Sequence, residues 1–191
     1  MRLIETALSG VAILEPQVHR DPRGYFVEVY RADRLASLGI DVRFVQDNQS
    51  RSERGTLRGL HWQWRRPQAK LIRVVTGEIF DVAVDIRRGS PTFGRWVGAT
   101  LSAENFRQMF VPEGFAHGFC VTSDVADVEY KCSDVYDAGG EAGLAWNDPE
   151  VSIEWPCGHP LLSERDRNHP TLSACQALPS LHGARLRWPS R

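Results

Sequence analysis

Hydrophobic and polar residues alternate in short runs along most of the chain. In EIFDVAVDI, Phe80, Val82, Val84 and Ile86 fall on one face and Asp81, Ala83 and Asp85 on the other. That period of two predicts a half-buried β-strand. Only Thr76 and Gly77 separate it from the preceding run, AKLIRVV, which predicts a hairpin, although glycine in the second position suits only some turn types. Further strands are predicted in GVAILEP, GYFVEVY, TLRGLHWQ, GRWVGATL, GFAHGFCV and DVEYKCSD, with Gly, Pro, Asn and Asp between them. One short helix is predicted from near Ala32 to Gly39, where glycine stops it. Many short strands without alternating βα units predict a mainly β chain: a double-sheet jelly-roll barrel with a few short helices. The absence of G-x-G-x-x-G and P-loop sequences excludes the usual nucleotide-binding α/β sheets.

At 191 residues the chain fits one domain spanning 1–191. The stretch 171–191 lacks periodicity and reads as a peripheral C-terminal arm or a mobile tail. A formal net charge of −1, with 42% hydrophobic and 25% charged residues, is that of a soluble enzyme and gives no reason to expect nucleic acid as a partner. Cys120, Cys132, Cys157 and Cys175 form no C-x-x-C pair and read as reduced thiols. Glu5 interrupts the apolar N-terminus, and no run reaches the ~20 apolar residues of a membrane helix, so a cytoplasmic location without membrane contact is expected.

Three runs are more polar than a plain strand requires. RGLHWQ carries Arg58 and His61, three residues apart and on opposite faces of a regular strand. QAKLIRV begins with Gln68 and Lys70. EYKCSDVY holds Tyr130 and Tyr136, which share a face if the strand continues that far. Singly, each residue has an ordinary structural reading: a hydrogen-bonded strand histidine, an amphipathic barrel tyrosine, charges that guard a strand edge. Metal binding is disfavoured. His61 is followed by Trp62, Gln63 and Trp64, so Gln63 stands where the H-x-H pair of metal-binding cupins has its second histidine, and His117 has no companion nearby.

In order along 10–166, the segments DPRGYFVE, FVQDNQS, GTLRGLHWQ, QAKLIRV, GEIFDVAVDIR, SPTFGRW, LSAEN, VPEGFAHGF, EYKCSDVY, WNDP and LLSERD together resemble the dTDP-4-dehydrorhamnose 3,5-epimerase family. The resemblance implies a cupin-like jelly roll, a homodimer, no cofactor or metal, and a dTDP-linked 4-keto-6-deoxy sugar epimerised at carbons 3 and 5 in deoxysugar biosynthesis. It implies His61 as base, Asp166 as the carboxylate that orients it, Tyr130 as proton donor on the opposite sugar face, and Lys70 near the keto oxygen. Tyr136 is matched to the residue stacking on thymine. Arg23, Glu28, Gln46, Asn48, Arg58 and His117 match positions contacting nucleotide, diphosphate or sugar, with Asp47 between two of them and Glu141 beside the set. Arg165 stands where the family usually has lysine, exchanging a point charge for a planar fork.

The alternatives are a single-site 3- or 5-epimerase with much the same catalytic set, a metal-dependent cupin enzyme, and a non-catalytic sugar-nucleotide binder. The last has no need of an opposed acid and base.

Overall fold

Residues 1–181 are described in the structure, a computed structural model. In chain order the strands are β1 (Arg2–Glu5), β2 (Ala12–Glu15), β3 (Val18–Asp21), β4 (Gly24–Val27), β5 (Gln46–Glu53), β6 (Leu57–Gln63) and β7 (Lys70–Thr76), followed by β8 (Glu78–Asp85), β9 (Trp96–Ser102), β10 (Gln108–Val111), β11 (Phe115–Val121), β12 (Val125–Cys132) and β13 (Glu141–Gly143). The helices are α1 (Ala32–Ser37) and α2 (Glu164–Arg167), with single 3₁₀ turns at Ala138–Gly140 and Leu172–Ala174. The strands form two antiparallel sheets, β1-β2-β10-β7-β12-β5 and β13-β6-β11-β8-β9, and a separate β3–β4 ribbon. This is the expected cupin-like double-sheet jelly roll.

Three apolar layers follow from the alternation. Between the sheets lie Ile72 and Val74 of β7, Ala126 and Val128 of β12, and Ile79, Ala83, Phe115, Phe119 and Val121 of the facing sheet. The outer face of the first sheet, including Leu14, Leu71 and Phe110, is covered by Leu35 and Ile40. The outer face of the second, including Leu60, Trp62, Val82 and Val84, is covered by Leu144, Val151, Leu172 and Cys175. Residues 171–181 therefore pack on the second sheet: Ala177 accepts a hydrogen bond from the Trp62 indole at 3.1 Å, and Ser180 bridges to Arg88. The remainder of the expected arm, 182–191, lies outside the described residues.

Two sequence expectations change. The run EIFDVAVDI is buried on both faces, because the C-terminal chain covers the side opposite the core. An unpaired buried carboxylate is costly by several kcal/mol, and both acids are paired: Asp81 with His117 and Asp85 with Arg87. Thr76 and Gly77 make no hairpin either. β7 pairs with β10 and β12, whereas β8 pairs with β11 and β9, so the connection crosses between sheets. Gly77 has φ +74°, and a Cβ there would stand 2.0 Å from the Val125 carbonyl oxygen. Only glycine fits this corner.

α1 ends as predicted. Gly39 has φ +90°, its N–H bonds to the Ala36 carbonyl at 2.9 Å, and the Ile40 N–H reaches the Leu35 carbonyl at 2.9 Å. This is a Schellman cap, and Leu35 and Ile40 pack together in the apolar layer over the first sheet.

Candidate active site

Strand parity decides what faces the interior. On β7, Lys70 shares the inner row with Ile72 and Val74. On β12 and β5 the register pairs Tyr130 with Asn48 and Cys132 with Gln46, which carries Asn48 and Gln46 onto the same inner face. From the second sheet, His61 of β6 is the cross-strand partner of His117 of β11. Lys70, Tyr130, Asn48 and Gln46 thus line one wall, and His61 and His117 the other.

Arg58, though exposed, joins the face of this group against the sequence expectation. His61 pairs with His117 and Arg58 with Phe119, so three steps on β6 are matched by two on β11. That bulge reverses the parity and returns Arg58 to the face of His61. Gly59, inside the bulge, has φ +114°, and a Cβ there would lie 2.7 Å from Gly118 Cα and from the His117 carbonyl oxygen. Arg58 donates from Nε to Ser52 Oγ at 2.9 Å.

Asp166 reaches His61 from 105 residues away through the backbone. Leu161 bridges the start of β6, donating its N–H to the Gly55 carbonyl at 2.8 Å and accepting from Leu57 at 3.0 Å. Ser163 then caps α2, its hydroxyl oxygen accepting the Asp166 amide at 3.1 Å. The carboxylate is thereby aimed at the imidazole, with His61 Nε2 and Asp166 Oδ1 2.5 Å apart. Neutral His61 donates its Nε2–H to Asp166, which leaves the Nδ1 lone pair free to accept a proton.

The electrostatics suit an acid–base pair. Burial pushes the His61 imidazole below its ordinary pKa, Asp166 opposes this, and the charges of Lys70 and Arg165 add to the lowering. Burial works to raise Asp166, but hydrogen bonds from His169 and His61 win and hold the carboxyl well below the usual carboxylate range. On the opposite wall, burial is the leading cause that raises the Tyr130 phenol, so it keeps its proton. Burial lowers Lys70, with Cys132, Glu141 and Asp81 opposing; its ammonium lies 5.9 Å from the Tyr130 ring centroid.

The remaining candidates divide. Tyr136 is not on β12, which ends at Cys132; it lies in the following loop, half exposed. It still belongs to the site, because its N–H bonds to Gln46 Oε1 at 2.8 Å and its hydroxyl to Glu141 Oε2 at 2.7 Å. Arg165 meets the same Glu141 oxygen at 2.5 Å. Gln46 donates to Asn48 at 3.1 Å. Asp47 points the other way, to Lys131 at 2.9 Å, and lines a cavity of about 270 Å³ on the outer face of the first sheet. Arg23, bonded to Asp21, and Glu28, near Arg31 and Arg34, stand on and beside the β3–β4 ribbon, where no contact joins them to His61. Gln68 donates to the Asp134 carbonyl at 2.7 Å and braces the same loop as Tyr136.

Two participants went unrecognised in the sequence. Asp81, whose Oδ1 lies 2.7 Å from His117 Nε2, was hidden in a strand read as half exposed. His169 Nε2 stands 3.4 Å from Asp166 Oδ1; its D-x-x-H spacing from Asp166 was the available signal. His61, Asp166 and His169 each offer one donor atom within 4.8 Å of one another. His61 and Asp166 stand 2.5 Å apart, engaged with each other in a hydrogen bond.

A double-sheet jelly roll with a carboxylate-held histidine facing a protonated phenol across its interior defines a proton-transfer isomerase. Residues 5–174 match the dTDP-4-dehydrorhamnose 3,5-epimerase family, and the chain belongs to that family. It is 51% identical over 170 residues to the dTDP-4-dehydrorhamnose 3,5-epimerase of Methanothermobacter thermautotrophicus, covering 87% of this chain and 92% of that protein. A crystal structure of dTDP-6-deoxy-D-glucose-3,5-epimerase from Legionella pneumophila in complex with dTDP-4-keto-L-rhamnose superposes with a TM-score of 0.91 at 49% identity, covering 94% of this chain and 97% of that one. The dTDP-4-dehydrorhamnose 3-epimerase of Streptomyces niveus is 42% identical over 192 residues, covering 93% of each.

Proposed function

We propose that this chain epimerises dTDP-4-keto-6-deoxyglucose at carbons 3 and 5, supplying the L-rhamnose configuration. The observation that carries the reading is the placement of His61 and Tyr130 on opposite walls of one interior. Inverting a carbon requires a proton to leave one face of the sugar and return to the other, which one residue cannot easily do alone.

The 4-keto group acidifies hydrogens on carbons 3 and 5. His61 Nδ1 takes one of them, and Asp166 steadies the imidazolium that forms. Negative charge develops on the keto oxygen as the enolate appears, and Lys70 donates an N–H to it in a site from which water is largely excluded. Tyr130 then protonates the carbon from the far side. Tyr136 stacks on the thymine, while Gln46, Asn48, Arg58, His117, Glu141 and Arg165 bind the nucleotide, the diphosphate or the sugar. No redox cofactor is needed, because the substrate is already a ketone.

The enzyme works in the cytoplasm as a homodimer. Phe26 and Tyr25 on the β3–β4 ribbon are 70% and 58% exposed, and β5 leaves one edge of the first sheet unpaired. A second copy covers the ribbon, whose Arg23 and Glu28 then contribute to a shared site. Sedimentation of wild type and Phe26→Asp tests this: a monomeric wild type removes the dimer.

Turnover in deuterated water, followed by NMR, tests the chemistry. Deuterium and inverted configuration are expected at both carbons. Change at carbon 3 alone would make this a single-site enzyme like the Streptomyces niveus relative, and exchange at neither carbon of a verified substrate would reject the epimerase reading.

A further inference from the structure

The cluster around Asp166 contains a second imidazole that the acid–base scheme does not use. His61 Nε2 lies 2.5 Å from Asp166 Oδ1, and His169 Nε2 lies 3.4 Å from the same oxygen. That His169 nitrogen is buried and has no fully formed hydrogen bond among the described residues. Stranding a buried polar group costs about 1–3 kcal/mol, so a residue needed only for packing would be better served by leucine. Among the described residues, the approach to Asp166 at 3.4 Å is the compensation within reach.

The ring is also tightly held. It stands edge-on to His61, with centroids 5.4 Å apart and an interplanar angle of 81°. Its other side lies against Gly143 of β13, where a Cβ would come within 2.2 Å of the ring. His169 is thus wedged between β13 and the His61–Asp166 pair, its polar nitrogen toward the carboxylate.

We propose that His169 is a positioning residue, whose ring N–H holds the Asp166 carboxylate with Oδ1 turned to His61 and takes a share of its negative charge. A carboxylate shared between two imidazoles stabilises the His61 imidazolium less than one devoted to it. His61 therefore stays a neutral base at a lower pH. The other groups facing His61 act around this: Lys70 from β7 and Arg165 from α2 disfavour the imidazolium, and Glu141 from β13 is engaged by Arg165. Tyr130 from β12 stays neutral, and Asp81 from β8 is engaged by His117 of β11.

The part played in turnover rests on the epimerase reading; the effect on His61 does not. The test is therefore an NMR titration of the His61 ring in substrate-free wild type, His169→Leu and His169→Gln, with steady-state kinetics of each. Leucine removes the N–H, whereas glutamine keeps one. His61 is expected to titrate at higher pH in His169→Leu, by at least about half a unit, with kcat lowered about tenfold and KM within about twofold. Glutamine is expected to restore both. An unmoved His61 titration in the leucine variant, or a loss that glutamine does not restore, overturns the proposal. If His169→Leu does not fold, the glutamine variant decides: a wild-type His61 titration supports it and a displaced one rejects it. Wild type that fails to epimerise while its His61 titration still responds to His169 would sink the functional reading and leave the pairing intact.

Discussion

His61 and His117 are direct cross-strand partners on β6 and β11, and each turns Nε2 to a buried carboxylate, Asp166 at 2.5 Å and Asp81 at 2.7 Å. The two pairs differ in access. The His61 side chain is 20% exposed and the His117 side chain 7%. His61→Ala should lower kcat by about 10²- to 10⁴-fold, the usual worth of a general base, at a smaller cost in stability than His117→Ala, because His169 still approaches Asp166 at 3.4 Å. His117→Ala leaves Asp81 buried without its partner and should cost about 3–5 kcal/mol of stability in denaturant titrations. Equal destabilisation by both would remove the distinction.

The pH profile follows from the sign of the His61 shift. Its pKa lies below the ordinary imidazole value, so the acid limb of kcat/KM for the free enzyme should fall below about 6.5. Asp166→Asn removes the partner that raises it. The limb should move to still lower pH while the plateau drops, and a limb moving upward would contradict the assignment.

Tyr130 keeps its proton because burial raises its pKa. Tyr130→Phe should therefore stop inversion yet leave His61 able to exchange the hydrogen it removes. Deuterium incorporation with retained configuration is the expected NMR result; full inversion by this variant would assign the donor elsewhere.

Tyr136 is exposed in the free chain and anchored by Gln46 and Glu141. Tyr136→Ala should weaken dTDP binding by about 1–3 kcal/mol, the usual worth of base stacking, and change kcat less. Calorimetry giving wild-type affinity would take Tyr136 out of the site.

His61 Nε2 and Asp166 Oδ1 are engaged with each other at 2.5 Å, with His169 Nε2 3.4 Å from the same oxygen. Elemental analysis of purified protein should find no stoichiometric transition metal, and chelator should leave turnover unchanged. Activity lost to chelator and regained with one particular metal would reverse this reading.

Alternation along the chain determined much of the architecture. The period of two in EIFDVAVDI and the β-rich run AKLIRVV commit those residues to strands wherever the strands end up, and Gly39 stops α1 by local geometry alone. The LLSERD segment already held a capping signature, with Ser163 three residues before Asp166, whose N–H it accepts at the start of α2. Pairing is not local, and here the tertiary structure decided. Whether Thr76–Gly77 closes a hairpin or crosses between sheets depends on β10 and β12 outcompeting β8 for the edges of β7. Arg58 and His61 share a face only because β11 matches three steps along β6 with two of its own. Asp81 is buried because it points between the two sheets beside Ile79 and Ala83, where His117 of β11 is its partner. Asp166 and His169 meet His61 only after Leu161 is stitched to the start of β6. Residue type and spacing carry the local conformational preferences, whereas the meeting of groups a hundred residues apart is fixed by which edges and faces remain to be satisfied once the sheets have packed.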